Sequence, residues 1–233
     1  MHSLLLKFKA PLQAWGAESR YKTRASNPEP TKSGVIGLLA AAQGRARQQP
    51  LADLAALSFA VRVDYPGQLL RDFHTARNWF SSKDQSQLSN RYYLSDAVFL
   101  VALAGEQSFL AELESSLLHP AFPLYLGRRS CPAGPDLVMG IRPGDAEQVL
   151  RAEKTWYAPA WVQRQQGPQV ALPLIRDALA GEAGDTIRDL PLSFDPEYRQ
   201  YGLRSVVRAE PVELVNPMGQ QDEDLFFKEV RQA

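Results

Sequence analysis

The sequence predicts an α+β fold whose elements follow the order β-α-β, an inserted hairpin, and then β-α-β. Three observations predict it. Residues 4–9 and 59–65 alternate between apolar and polar side chains, residues 31–44 and 106–118 carry apolar side chains at helical spacing, and two strand-like runs flank a polar centre within residues 69–104. With 233 residues and 45% hydrophobic content, the chain can bury a core.

The first half of this order is a strand, a helix and a second strand. Leu4, Leu6 and Phe8 alternate with Leu5, Lys7 and Lys9, which predicts one apolar and one cationic face. Residues 31–44 begin with N-cap side chains and end at a glycine, as a helix does, and residues 59–65 alternate again. Since the helices of a βαββαβ unit cover one face of its sheet, we expect the lysine face to be open.

The second half begins with the hairpin. Pro66 and Gly67 turn the chain into residues 69–74, and the polar residues 75–90 lead into the apolar run 92–104, as in a projecting arm. A helix at 106–118 and a short strand at 122–126 follow. The sequence therefore predicts a ferredoxin-like (RRM-like) palm over residues 1–142 with a hairpin thumb at about 69–103. Residues 143–233 are expected to form a small C-terminal region with strands at 201–209 and 212–215.

Charge is unevenly distributed, although the formal net charge is zero. Residues 1–47 hold eight basic and two acidic residues, whereas residues 176–224 hold eleven acidic residues and five arginines. A basic front half suits a polyanion, and the acidic region either shields the remaining surface, faces a basic neighbour or is simply solvated.

Composition also excludes several classes of protein. No apolar run is long enough for a membrane span, and the single cysteine, Cys131, favours the reducing cytoplasm. His2, His74 and His119 lie far apart, and no pattern of metal ligands, phosphate-binding glycines or nucleophile elbow occurs. We therefore expect no cofactor, no metal, no membrane and no usual catalytic site.

Three segments carry chemical groups that are suited to binding RNA. At the first, Lys32, Ser33 and Gly34 combine free backbone N–H groups at a helix start with a cation, although an ordinary N-cap alone explains this segment better. The second is the loop Gly127, Arg128, Arg129 and Ser130, where two guanidinium groups offer planar forks for phosphates or base edges.

The third segment is the arm, which mixes cationic and aromatic side chains suited to stacking on unpaired bases. It carries Arg91, Tyr92 and Tyr93 on one side and His74, Arg77 and Trp79 on the other. Each tyrosine could equally pack on the sheet. Trp15 is better explained as a buried anchor than as a base-stacking residue.

Four motifs occur in order along the chain: PLQAWG at 11–16, PTKSGVIGLL at 30–39, LRDFHT at 70–75 and YLGRRSCP at 125–132. Together they closely resemble the CasD family of repeat-associated mysterious proteins, which are subunits of the type I-E CRISPR Cascade complex. The resemblance spans residues 1 to about 142, and residues 208–211 resemble the closing strand of that family only weakly.

The resemblance implies a non-catalytic subunit that grips the 5′ handle of the guide crRNA and caps one end of the complex. Its partners would be the filament backbone subunit, the large subunit and, through the assembled complex, target DNA. Lys32, Ser33, Arg128 and Arg129 would line the handle, and Arg91 would contact bases near the handle–spacer boundary.

Two other functions remain open from the residues. A metal-independent endoribonuclease of the same fold would need His74, Tyr92 or Tyr93 for acid–base chemistry. A scaffold that binds only proteins would use the basic segments against acidic neighbours.

Overall fold

The computed structural model describes residues 1–16, 23–76 and 87–219, which form thirteen strands and five helices. The strands are β1 His2–Lys9, β2 Leu12–Gln13, β3 Trp15–Gly16, β4 Thr23–Arg24, β5 Ser26–Asn27, β6 Ser58–Tyr65, β7 Gln68–Ala76, β8 Gln87–Ser95, β9 Val98–Gly105, β10 Val138–Pro143, β11 Gln169–Asp177, β12 Asp185–Ser193 and β13 Gln200–Val215. The helices are α1 Lys32–Ala42, α2 Ala52–Ala55, α3 Gln107–Leu118, α4 Ala146–Ala152 and α5 Ala160–Gln163.

The architecture is mixed α/β and mostly antiparallel. Seven strands form one sheet in the order β10-β1-β9-β6-β11-β13-β12, and all neighbours in it are antiparallel. The strands predicted at 4–9 and 59–65 and the helices predicted at 31–44 and 106–118 are confirmed as β1, β6, α1 and α3. The C-terminal strands extend the same sheet, because β11 pairs with β6.

One face of the sheet carries the larger hydrophobic core, beneath α1 and α3. Leu4, Leu6 and Phe8 point into it, as the alternation predicts. Trp15 is fully buried and stacks on Phe8, with ring centroids 5.2 Å apart. Its indole N–H donates to Gln13, so the tryptophan anchors the 11–16 segment, as expected.

The opposite face is not open, contrary to the prediction. Leu5 and Leu100 are buried there under α4 and Trp156, in a second hydrophobic cluster. Lys7 is itself enclosed, since its Nζ lies 2.6 Å from Asp136 and 4.8 Å from the centre of the Tyr157 ring. The expectation failed because α4, which begins with a capping box, was not predicted.

A buried ion pair ties this second layer to the sheet. Arg62 and Asp64 are adjacent on one face of β6, and the Arg62 Nε lies 2.8 Å from Asp64 Oδ1. Arg62 also donates to the carbonyl oxygens of Leu150 and Thr155, at 3.0 and 2.8 Å. Its charge therefore satisfies carbonyl groups at and beyond the end of α4.

Two further expectations about strands were wrong. Residues 122–126 form only an isolated bridge, Tyr125 to Pro132, and the strand that pairs with β1 is β10. The two strands expected at 201–209 and 212–215 are one continuous strand, β13, and the C-terminal region also contains β11 and β12. β11 was missed because Pro173 interrupts it; the proline lies at a register shift, where a missing N–H is tolerated.

The inserted hairpin consists of β7 and β8, paired antiparallel from Gln68 opposite Ser95 to Ala76 opposite Gln87. The run expected at 92–104 is divided between β8 and β9 at Asp96, which has a φ of 58°. The expected tip of the arm, with Arg77 and Trp79, lies outside the described residues.

Candidate nucleic-acid interface

The loop at 126–132 is held at both ends by buried side chains. Leu126 and Cys131 are fully buried, and the Leu126 N–H donates to the Cys131 carbonyl at 2.7 Å. The Cys131 N–H donates to the Arg128 carbonyl at 2.8 Å, which closes the turn. Burial raises the pKa of the Cys131 thiol, so it remains protonated and apolar at neutral pH.

Gly127 is required by packing within the protein. Its φ is 88°, and a Cβ there would lie 1.6 Å from the carbonyl oxygen of Ala14. The Ala14 N–H in turn donates to the Leu126 carbonyl at 3.1 Å. The 11–16 segment and the arginine loop therefore pack directly against each other, which links two of the four motifs physically.

Arg128 attaches the loop to the base of the hairpin. Its Nη1 donates to the Tyr92 carbonyl at 3.1 Å and its Nη2 to the Arg24 carbonyl at 2.8 Å. The guanidinium also lies over the Tyr93 ring, 4.7 Å from its centre. The fork of Arg128 is thus engaged by the protein, in contrast to the exposed ligand contact that the sequence suggests.

Arg129 and Ser130 have exposed side chains in this loop. No ion-pair partner of Arg129 occurs among the described residues. Ser130 Oγ lies 3.5 Å from the Tyr93 hydroxyl. Attachment through Arg128 therefore presents an exposed guanidinium and a hydroxyl beside the hairpin.

The start of α1 binds an anion, but the anion belongs to the protein. The Lys32 N–H donates to a carboxylate oxygen of Asp189 at 2.8 Å, and the Lys32 Nζ lies 3.0 Å from Asp177. Lys32 is only 5% exposed. The N-cap interpretation is also realised, since Thr31 Oγ1 accepts from the Gly34 N–H. The geometry therefore does not support a direct contact between Lys32 and RNA.

Arg204 completes this network. It lies 2.5 Å from Asp177 and 2.6 Å from Asp189, so two cations balance two carboxylates. Part of the acidic C-terminal region thus faces basic residues of the same chain. As a consequence, β11, β12 and β13 fix the position of α1.

Residues at the hairpin base show a second cationic and aromatic surface. Arg91 pairs through its backbone with Arg24, and its Nε is buried with no hydrogen-bond partner among the described residues. Tyr92 is half-buried, whereas Tyr93 is buried against Arg128. His74 lies farther along β7, with Nε2 2.7 Å from Asp72.

A groove of about 780 Å³ is lined by residues of α1, of the segment 122–132 and of the turn from β12 to β13. Four predicted site residues meet there: Ser33, Gly34, Gly127 and Arg129. His74, Arg91 and Tyr92 do not line it; they belong to the hairpin surface.

Sequence reasoning missed the remaining arginines and the aromatic rings of this groove. Those residues are Arg45, Arg47, Phe122, Tyr125, Phe194, Arg199 and Tyr201. In the sequence analysis, Arg45 and Arg47 were counted only among the eight basic residues of positions 1–47. No local pattern connects them to the β12–β13 turn, because the groove exists only when distant segments pack together.

The described residues contain no group of three or more His, Cys, Asp or Glu side chains placed to hold a metal ion. None of their helices is long and apolar enough to cross a membrane.

Comparison with known proteins identifies the family. The family described as "CRISPR-associated protein (Cas_Cas5)" matches residues 3–207. The CRISPR system Cascade subunit CasD of Escherichia coli (strain K12) is 37% identical over 168 residues, which cover 63% of this chain and 75% of that protein.

Solved structures agree with this assignment. A chain of a "CRISPR RNA-guided surveillance complex" superposes with a TM-score of 0.77 and 29% identity, covering 99% of this chain and 98% of the other. A "Crystal structure of Cas protein" gives a TM-score of 0.65 and 34% identity, with 94% and 98% covered. The chain therefore belongs to the CRISPR-associated Cas5 family, as its resemblance to CasD predicted.

Proposed function

We propose that this chain is a crRNA-binding subunit of a type I-E CRISPR Cascade complex. It grips the repeat-derived 5′ handle of the guide RNA and caps one end of the complex in antiviral defence. The observation that carries the proposal is the loop at 127–130, which Arg128 attaches to the hairpin base so that Arg129 and Ser130 are exposed. The similarity to a Cascade subunit and to a chain of an RNA-guided surveillance complex supports it.

The partners proposed with this function are the guide crRNA, the filament backbone subunit and the large subunit, with target DNA reached through the assembled complex. The subunit acts in the cytoplasm.

The fold proposed for the gripping unit is a ferredoxin-like palm over residues 1–142 with the hairpin as its thumb. Strand order β10-β1-β9-β6 supports it, because α1 follows β1 and α3 follows β9, as in a βαββαβ unit. Residues 143–233 form the C-terminal elaboration, whose strands anchor α1 through Asp177 and Asp189.

The proposed contact residues are those that keep an exposed or half-exposed surface: Ser33, Gly34, His74, Arg91, Tyr92, Gly127, Arg129 and Ser130. Lys32 and Arg128 act as positioning residues, because their charged groups already bind carboxylates or carbonyls of the protein.

The grip is proposed to be non-catalytic. His74 is paired with Asp72 on the hairpin and does not line the groove, so the proposal gives it no catalytic role. Repeat RNA incubated with the protein in EDTA should remain intact. Cleavage at one site that His74→Ala abolishes would establish an endoribonuclease instead.

Binding is tested with a labelled single-stranded RNA of the repeat's 3′ portion, which becomes the handle, and a double-stranded RNA as control. Fluorescence anisotropy should show tighter binding of the single strand, and Arg129→Ala should weaken it. Equal affinity for wild type and Arg129→Ala, with an unchanged salt slope, would favour a scaffold that binds only proteins.

A further inference from the structure

An exposed tryptophan lies beside the second hydrophobic cluster, and the proposed grip does not use it. Trp161 of α5 is 48% exposed, and its ring meets the half-buried Tyr65 ring edge to face, with the centroids 5.7 Å apart. Arg164 follows three residues later, so it lies on the same side of the helical turn, and its side chain is exposed. Trp, Tyr and Arg are the residue types most enriched at binding hot spots. These three residues are here called the tryptophan surface.

The charge beside the tryptophan surface is positive. Arg164 has no ion-pair partner among the described residues. Lys9 and Tyr65 lie on one face of the sheet, because each pairs with Val98 from either side of β9. Two strand spacings, about 10 Å, separate their backbones, and the Lys9 side chain is exposed. The tryptophan surface therefore fits a segment that combines apolar rings with acidic groups.

The last described residues are attached to the end of α5. The Asn216 side-chain amide donates to the carbonyls of Gln163 and Gly167, at 2.7 and 2.9 Å. The Gly219 N–H donates to the Asn216 carbonyl at 3.1 Å, and a Cβ at Gly219 would lie 2.2 Å from the Gly167 carbonyl oxygen. The chain that follows Gly219 therefore starts beside the helix that carries Trp161.

The residues after Gly219 have the composition that the tryptophan surface fits. Residues 220–233 lie outside the described residues, and their sequence is QQDEDLFFKEVRQA, in which three acids precede a leucine and two phenylalanines. At about 3.6 Å per residue, Phe226 can lie up to about 25 Å from Gly219. Because α5 is only about 6 Å long, this reach includes Trp161.

We propose that residues 222–227 of this chain bind the tryptophan surface, as an interaction separate from the RNA grip. The phenylalanines pack against Trp161 and Tyr65 at the edge-to-face and offset angles that aromatic pairs prefer, and the acids lie beside Arg164. A short tether gives the segment an effective concentration of about 1 mM, so a weak contact with a Kd of about 0.1 mM is occupied about ten to one. The segment thereby closes this surface to other apolar partners until it is displaced.

Hydrogen exchange of the full-length chain, measured by mass spectrometry, tests the proposal. In wild type, the amides of residues 224–228 should exchange about tenfold more slowly than in a synthetic peptide of residues 220–233. Trp161→Ala should remove this protection. Tyr198→Ala, which deletes a ring that is 67% exposed elsewhere, should retain it.

A charge variant keeps the test valid if Trp161→Ala unfolds α5. Arg164→Glu changes an exposed side chain and should also reduce the protection, because it places a like charge beside the acids. Arg142→Glu makes the same change at another exposed arginine and should leave the protection at the wild-type level.

Binding of the labelled peptide 220–233 gives an independent measurement. The full-length double variant Phe226→Ala with Phe227→Ala should bind the peptide about tenfold more tightly than wild type does, because the wild-type segment occupies the same surface. Equal affinity of the two proteins for the peptide would contradict the proposal.

Two further results would overturn it. Exchange in wild type as fast as in the peptide, or protection that survives both Trp161→Ala and Arg164→Glu, would show that the segment does not bind the tryptophan surface. Protection that appears only when other Cascade subunits are added would assign the segment to a partner instead. Each of these results leaves the proposed grip intact, since Arg129→Ala tests the grip separately.

Discussion

Arg128 and Arg129 are neighbours in sequence, yet the structure predicts opposite consequences for replacing them with alanine. Arg128 donates hydrogen bonds to carbonyls of β4 and β8 and covers the Tyr93 ring, whereas Arg129 is exposed. Arg128→Ala should therefore reduce stability, and Arg129→Ala should reduce phosphate binding.

The magnitude for Arg128 follows from its contacts. Hydrogen bonds from a charged donor contribute about 1.5–3 kcal/mol each when buried, and about half of that is reasonable for this partly exposed side chain. The ring contact adds about 0.5–1 kcal/mol. A loss of about 2–4 kcal/mol lowers the Tm of a chain this long by about 5–15 °C. Arg129→Ala should change stability by less than about 0.5 kcal/mol.

Thermal unfolding and a salt series of RNA binding measure both effects. Arg129→Ala should lower the log–log salt slope by about 0.7, the value for one phosphate contact on a single strand. Arg128→Ala should lower affinity through the displaced loop and leave the slope unchanged. Arg128→Lys should restore little, because an ammonium group cannot reach two segments as a planar fork does. A slope that falls equally in both variants, with an unchanged Tm for Arg128→Ala, would refute this reasoning.

Three further predictions concern the frame around the site. Gly127→Ala should destabilise the protein by more than about 1–2 kcal/mol, which is the cost of a left-handed backbone at a residue that has a Cβ, because the added Cβ would also meet a carbonyl oxygen. Thermal unfolding measures this loss. Asp64→Asn should cost about 3–5 kcal/mol in urea unfolding, since Arg62 is left buried without its carboxylate. Arg176 lowers the pKa of Glu182 to about 2, so their pairing stabilises the fold fully above the unfolded pKa of about 4.3 and loses that effect as pH falls towards 2. The difference in unfolding free energy between wild type and Glu182→Gln should thus be constant from about pH 6 to 8 and shrink below about pH 4.

Matched substitutions control for these effects. Gly16→Ala adds a Cβ with no atom within 4 Å and should leave the Tm unchanged. Asp185→Asn removes an exposed carboxylate and should alter urea unfolding by less than about 0.5 kcal/mol. A Gly127→Ala protein as stable as Gly16→Ala, or a difference for Glu182→Gln that grows on acidification, would contradict the corresponding prediction.

Side-chain alternation and helix-capping residues correctly predicted the strands and helices that depend mainly on residues close together in sequence. Leu4, Leu6 and Phe8 mark the inner face of β1 by their spacing alone, and Thr31 marks the start of α1. The capping box of α4, from Asp145 to Gln148, was also readable, and missing it produced the wrong expectation of an open sheet face.

Features that depend on distant residues could not be predicted in this way. The sequence favoured an ordinary N-cap at the start of α1 and left an anion site there as the alternative. Only the fold shows that Asp189, 157 residues away, supplies an anion. Arg128 and Arg129 have the same side chain, and their different roles follow from carbonyls contributed by β4 and β8. The groove beside α1 is lined by both Arg47 and Arg199, which are distant in sequence, so no local motif reveals it.

The central claim is that this chain holds the repeat-derived end of a guide RNA. Its most direct test is to purify the chain from cells that express a CRISPR array and the other Cascade subunits, and to sequence the 5′ ends of the RNA bound to it. The account predicts ends at one position within the repeat, upstream of the spacer, and less of that RNA bound to Arg129→Ala than to wild type. Bound RNA with scattered 5′ ends, or an assembled chain that carries as much of the same RNA in Arg129→Ala as in wild type, would contradict it.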